Sequence, residues 1–396
     1  MRWNLLLPCM LFCCTATAAG DLAWREQVLH INGQDWTLRI PAGMQLELLT
    51  DRLDAPRLLT FLPNGDLLAG SHGGYVYRLA PPYHRPEVLV RLADYPHSVA
   101  WRNGELLIAQ TDGLYHAPYE PGQARIERNT VRLLATLPGG SGHNSRTVAI
   151  GPDGRVYLSL GIAGNCSDQY LDDSYPFADR RGGVLVLDES GSQPVWKSFA
   201  SGLRNPVGFD WQPETGALYA SNNGPDHLGF DQPPEYFARL TAGSFHGMPW
   251  FQYDGSRLQR DHCIQRAPPR PAAEVSLPAA TFPARNAPMG VAFVPHGALD
   301  GQFDDNAIVA LRGSWGTRPS GGAYGSKASR RAPQLLMVRF EQGEVRDVVE
   351  FVTGFQRKDG TRLARPVGVA FGPDGDLYFT SDAELQGLFR LRPLAP

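Results

Sequence analysis

The sequence predicts an all-β protein, a six-bladed β-propeller with four-stranded antiparallel blades. Three observations carry that prediction. Short β-rich runs joined by tight polar turns recur in six places along the chain, four of them with Pro-Asp-Gly or Asn-Gly at the turn. The copies share one order of strand, turn, strand, strand. No stretch of consequence has helical periodicity. One such turn is a weak signal, since Asn, Asp and Gly merely tolerate the positive φ of a tight hairpin. Six copies imply radial repetition, because each unit can bury its faces only against its neighbours.

The bounds set by length and composition agree. The chain has 396 residues, 42% of them hydrophobic, with 43 glycines and 33 prolines. That is enough for one large, turn-rich domain with a sizeable core. A formal net charge of −3 and the lack of long basic runs give no electrostatic basis for binding nucleic acid.

Residues 1–18 read as a secretory signal peptide. Arg2 is a short positive region, Leu5 to Cys14 an apolar core, and Ala16-Thr17-Ala18 a small-residue cleavage site. The expected location is therefore periplasmic or secreted. Cys9, Cys13 and Cys14 raise lipoprotein anchoring as the competing reading, but Pro8 and Phe12 stand where a lipidation site wants small residues. No later run is long and apolar enough for a membrane helix. Cleavage leaves Cys166 and Cys263, which either pair in an oxidising compartment or stay as buried free thiols.

Residues 19–35 form an N-terminal polar segment without a clear pattern, and the propeller is assigned to 36–396. Trp36 to Ile40 and Met44 to Leu49 alternate apolar and polar at period two, so each reads as a strand. These strands are expected to complete the last blade and close the ring. The copies then follow in order. Copy one runs from Leu58 to Leu79 around the turn Pro63-Asn64-Gly65-Asp66, and copy two from Ser98 to His116 around Asn103-Gly104. Copy three runs from Thr147 to Leu160 around Pro152-Asp153-Gly154 and finishes with Gly183 to Asp188. Copy four turns at Pro213 to Gly216, copy five has a longer polar turn, and copy six turns at Pro373-Asp374-Gly375. Long loops are expected at 165–181, 222–270 and 313–332, and loops of such length are usually functional or disordered.

The innermost strand of each blade starts at one face of the channel, so residues just before it line one mouth. His143 and Arg146 precede copy three, Arg204-Asn205-Pro206 copy four, and Arg365-Pro366 copy six. His143, Arg204, Asn205 and Arg365 are thereby expected at a common rim. Cations converging with one histidine make a pocket for a polyanionic small molecule with a base beside it. Trp315 reads as a channel-mouth packing residue rather than a substrate platform. Asp168, Asp172 and Asp173 read as a solvated acidic loop rather than a calcium site. His246, Trp250 and Tyr253 either bound a sugar cleft or pack the long loop.

Five segments carry a family resemblance: Gly142-His143-Asn144-Ser145-Arg146-Thr147, Gly202-Leu203-Arg204-Asn205-Pro206-Val207-Gly208, Asn223-Gly224-Pro225-Asp226, Gly313-Ser314-Trp315 and Arg365-Pro366-Val367-Gly368-Val369. Together they resemble the sorbosone dehydrogenase and soluble glucose dehydrogenase family, aldose sugar dehydrogenase-like quinoproteins that use pyrroloquinoline quinone (PQQ). The resemblance runs from about Pro41 to the C-terminus. It implies a PQQ- and Ca2+-dependent oxidoreductase acting on the C1 hydroxyl of an aldose, or on an aldose-derived aldehyde. Hydride would pass to PQQ and electrons onward to an external acceptor such as the quinone pool, a cytochrome or a dye.

The same resemblance implies the roles. His143 matches the general base, and Arg204 and Asn205 match residues that hold the cofactor near its reacting oxygens. The backbone carbonyls of Gly224 and Pro225 match calcium ligands, which suits a hard cation. Arg365 matches a carboxylate-binding arginine. Arg312 stands before Gly-Ser-Trp where the family often has histidine, and some members place a cofactor-binding lysine there. Asn222, Asn223 and His227 depart from the acidic residues common nearby. Two other readings compete: a calcium-dependent lactone hydrolase, which the arginine-rich mouth disfavours, and a non-enzymatic propeller that binds a carbohydrate or a protein.

Overall fold

Each expected hairpin forms where its turn glycine demands it. In the computed structural model, which describes residues 22–394, Gly65, Gly104, Gly154, Gly216 and Gly375 all adopt φ between 68° and 86°. That left-handed region costs glycine nothing. The signal-peptide reading and Cys9, Cys13 and Cys14 lie outside the described residues.

Six blades result, each with four antiparallel strands, and blade three gains a fifth, parallel strand, Ser244–Phe245, on its outer edge. Blade one is Pro56–Phe61, Leu67–Ser71, Tyr75–Leu79 and Glu87–Arg91; blade two is Ser98–Arg102, Glu105–Ala109, Gly113–Pro118 and Arg132–Thr136. Blade three is Arg146–Ile150, Val156–Leu160, Gly183–Asp188 and Val195–Ser201; blade four is Pro206–Trp211, Leu218–Asn222, Glu235–Leu240 and Ala280–Phe282. Blade five is Pro288–Phe293, Ala307–Leu311, Gln334–Glu341 and Glu344–Val352. Blade six is Ala364–Phe371, Leu377–Glu384 and Gly387–Pro393, completed by Met44–Thr50 from the other end of the chain. The ring therefore closes as expected. The only helical elements among the described residues are short 3-10 turns, and no helix is long and apolar enough to cross a membrane.

Two expectations need correction. Gln34–Pro41 does not join the last blade. It pairs antiparallel with Trp24–Ile31, inside the segment read as polar and without pattern. The hairpin buries Trp36, Leu38 and Ile40 against the core shared by blades five and six, so its apolar face finds cover without entering the ring. Glu235–Leu240 lies inside the stretch read as one long loop. It is blade four's third strand, and most of its side chains are buried, which erases the alternation that would reveal it.

The core is distributed between blades rather than gathered at the centre. Leu107, Ala109 and Leu114 of blade two pack on Val148, Val156 and Leu158 of blade three, and the other blade pairs do likewise. Hydroxyl groups tie the inner strands together. Thr60 donates to the Val99 carbonyl, Ser98 to Arg146, Ser221 to Met289 and Thr380 to Arg57, at 2.6–2.9 Å, each onto the next blade. Thr147 donates to Val207 in the same way. Approach is so close that a Cβ on Gly208 would lie 2.3 Å from the Met289 carbonyl, and one on Gly368 2.3 Å from that of Arg57. That is the physical reason for glycine at these inner-strand positions.

Candidate active site

The 138–145 loop enters blade three from the outer strand of blade two and carries His143 to the channel mouth. His143 Nδ1 donates to the Ile162 carbonyl at 2.6 Å. This fixes the tautomer and leaves Nε2 with a lone pair. Nε2 has no hydrogen-bond partner among the described residues, and His143 lines a cavity of about 290 Å³. Burial, then the positive charge of Arg204, Arg181 and Arg146, pushes its pKa down to about 4. The imidazole is neutral at ordinary pH and able to take a proton. Gly161 makes room behind it: a Cβ there would lie 2.6 Å from both the His143 Cβ and the Asn205 Oδ1.

Arg204, Asn205, Asn223, Gly224 and Arg312 line the same cavity. Arg204 is buried, and burial lowers its pKa. Its Nε and Nη2 are held by the Asn165 carbonyl and Oδ1, at 2.9 and 3.0 Å, and Nη1 by the Asn223 carbonyl at 3.3 Å. Asn205 has a buried Oδ1 with no partner. Gly224 and Pro225 are buried, and their carbonyls accept no hydrogen bond among the described residues.

Arg365 stands apart. Its Nε and Nη2 donate to the Arg312 and Gly313 carbonyls at 3.0 and 2.9 Å. It does not line the cavity and instead braces the backbone that carries Arg312. Trp315 lines the cavity and is 53% exposed, contrary to the packing role expected for it. His246 and Trp250 are buried, and Trp250 packs with Tyr170, Phe245 and Phe251 inside the long loop. Asp168 and Asp173 pair with Arg266 and Arg180. Cys166 and Cys263 form a disulfide with their Cα atoms 6.3 Å apart.

Sequence reasoning missed Arg57, Glu235 and Arg285, which line the cavity with Asp226 of the Asn223-Gly224-Pro225-Asp226 segment. Arg57 had a signal, since it precedes the inner run of copy one as Arg204 and Arg365 precede theirs. Glu235 had none. Its carboxylate accepts from the Gly224 amide and, at 3.4 Å, from that of Ala287, and burial pushes its pKa up to about 7. Arg285 pairs with Asp226. Four arginines thus face two acids on the cavity wall, and the site is cationic.

The fold is shared with proteins of known structure. The TrAA12-like family model matches residues 253–389. The Trichoderma reesei Carbohydrate-Active Enzymes Family AA12 protein superimposes with a TM-score of 0.74 at 19% identity, over 90% of this chain and 97% of that one. The PQQ domain of a pyranose dehydrogenase from Coprinopsis cinerea gives 0.71 at 19% identity, over 90% and 97%. An uncharacterized protein of Borreliella burgdorferi is 23% identical over 358 residues, 87% of this chain and 88% of its own. The chain has the six-bladed propeller fold of the AA12 and PQQ-dependent sugar dehydrogenase structures.

Proposed function

We propose that this protein is an exported quinoprotein oxidoreductase. It takes PQQ and Ca2+, oxidises the C1 hydroxyl of an aldose or an aldose-derived aldehyde, and passes the electrons to an external acceptor. The observation that carries this reading is the partnerless Nε2 of a neutral His143 on the wall of a cationic cavity. The donor set fits the cofactor. Arg57, Arg204 and Arg312 suit a planar polycarboxylate. The buried Asn205 Oδ1 lacks a partner, and the free carbonyls of Gly224 and Pro225 suit calcium.

PQQ, when bound, supplies an electrophilic quinone carbon that accepts a hydride. His143 holds the substrate hydroxyl and takes its proton at Nε2 as the C–H hydride departs and the carbonyl forms. The Ile162 carbonyl keeps Nδ1–H in place throughout, so the ring stays oriented as it charges. Arg204, its guanidinium held by Asn165 and Asn223, would offer fixed positive charge to the reduced cofactor without reorganising. The Cys166–Cys263 disulfide supports export, since such bonds persist in oxidising compartments.

Adding PQQ and Ca2+ to purified protein should change the quinone absorption, and aldoses should then reduce a dye. No spectral change and no dye reduction across an aldose and aldehyde panel would sink the reading. Lactone hydrolysis without PQQ would replace it with the hydrolase alternative.

A further inference from the structure

Two arginines behind His143 do not contact the cavity and are not explained by cofactor binding. Arg146 is 0% exposed and Arg181 1%. Neither has a carboxylate within ion-pair distance among the described residues. Burying one guanidinium without a counter-ion is costly, and burying two side by side adds repulsion. Burial and the neighbouring Arg181 push the Arg146 pKa down to about 9.

Every hydrogen bond these two groups make goes to a backbone carbonyl. Arg146 Nη1 donates to His143 and Ser145, both at 2.9 Å, and Nη2 to Pro138 at 3.1 Å. Arg181 Nε donates to Gly161 at 2.8 Å, and Nη1 to Gly139 and Ser141, both at 3.1 Å. Its Nη2 donates to His143 at 2.9 Å. The His143 carbonyl is therefore gripped by both forks, and five carbonyls of the 138–145 loop point inward onto two cations. A loop needing only an anchor could use neutral amides; a planar fork can collect several carbonyls at once.

We infer that Arg146 and Arg181 are positioning residues for His143, clamping the carbonyl side of its loop so that Nδ1 stays bonded to Ile162 and Nε2 stays the base facing the cavity. This rests on the proposed role of His143. The clamp wraps the loop from behind, while Arg204 stands on the cavity side. All three cations oppose protonation of the ring.

The test reads the ring itself, in protein free of cofactor. Nitrogen and carbon NMR of labelled histidine, with His143→Ala to assign the signal, should show the Nδ1–H tautomer in the unaltered protein, titrating well below the usual histidine range. A ring protonated on Nε2 overturns the inference without any variant. Arg181→Met should give mixed tautomers and a higher titration midpoint. In the PQQ-loaded enzyme it should lower kcat about tenfold to a hundredfold with KM little changed, as expected for a displaced reacting group. Arg181→Lys and Arg146→Lys keep the charge but lose the fork, and decide the matter if the methionine variant does not fold. Folded lysine variants with unaltered tautomer, titration and kcat overturn the inference. Normal turnover in loaded His143→Ala would instead remove the base assignment, leaving the NMR result to judge the clamp alone.

Discussion

Arg312 Nε lies 2.8 and 3.1 Å from the two carboxylate oxygens of Asp382. The same buried carboxylate accepts from Arg57 across the channel mouth. Burial alone would raise the Asp382 pKa, but Arg57 and Arg312 outweigh it and hold the group below the usual range. One anion thus keeps two cavity arginines in place. Asp382→Ala should destabilise the protein by about 3–5 kcal/mol, the cost of stranding buried charge. Thermal melts should show the loss, and added PQQ should recover part of it by supplying the missing anion.

Gly161 lies between His143 and Asn205, and a Cβ on it would collide with both, at 2.6 Å from the His143 Cβ and from the Asn205 Oδ1. Gly161→Ala should cost about 1–3 kcal/mol from overpacking and depress turnover more than the loss of stability explains. A folded variant with unaltered kcat would show that the two side chains need not be held where they are.

Acid should weaken the fold through three histidines, the fully buried His97 among them, whose pKa burial and the charge of Arg57 also push down. Burial pushes both His143 and His246 down to about 4, whereas an unfolded histidine titrates near 6.5. Between those values the unfolded chain binds protons that the folded chain does not. The contribution is therefore complete above about pH 6.5 and is lost as pH falls toward 4. At pH 5 the loss is about 2 kcal/mol per histidine. Urea melts at pH 7 and pH 5 measure it, and a His143→Asn variant should show a shallower dependence.

Reduction of Cys166–Cys263 should act on the site as well as on stability. The bond spans 97 residues of chain, and opening it should cost roughly 2–5 kcal/mol. Asn165, next to Cys166, holds both Nε and Nη2 of Arg204. Cys263 donates its amide to Asp261, which in turn pairs with His227. A Cys166→Ser, Cys263→Ser variant should bind PQQ more weakly in a spectral titration, even at temperatures where it remains folded.

The repeat was legible because tight turns force glycine and asparagine into fixed places, as at Asn103-Gly104. Placement at the channel mouth followed from the repeat, and that brought His143, Arg204 and Asn205 to one cavity but wrongly added Arg365; Arg312 came only from the resemblance. What sequence could not resolve was how guanidinium groups are spent. Arg57, Arg312 and Arg365 look alike as letters, yet one carboxylate binds the first two and two carbonyls take the third. Glu235–Leu240 escaped notice because it is covered on both faces; of the outer hairpin, Trp36 to Ile40 was legible by its alternation, and only its partner Trp24–Ile31, inside the polar segment, was not.

The strand Met44–Thr50 completes the blade made by the chain's last residues, and Arg390 there reaches Glu47 across 343 positions of sequence. The ring is thus latched by its two ends. A growing chain can assemble five blades but must expose the unpaired edge of the sixth until synthesis is nearly finished. The Met44–Thr50 strand therefore stays unpaired until Gly387–Pro393 has been made. The same latch makes the molecule a closed circle, so new ends cut at the Pro152-Asp153-Gly154 turn, with the old ends joined, should still yield the propeller.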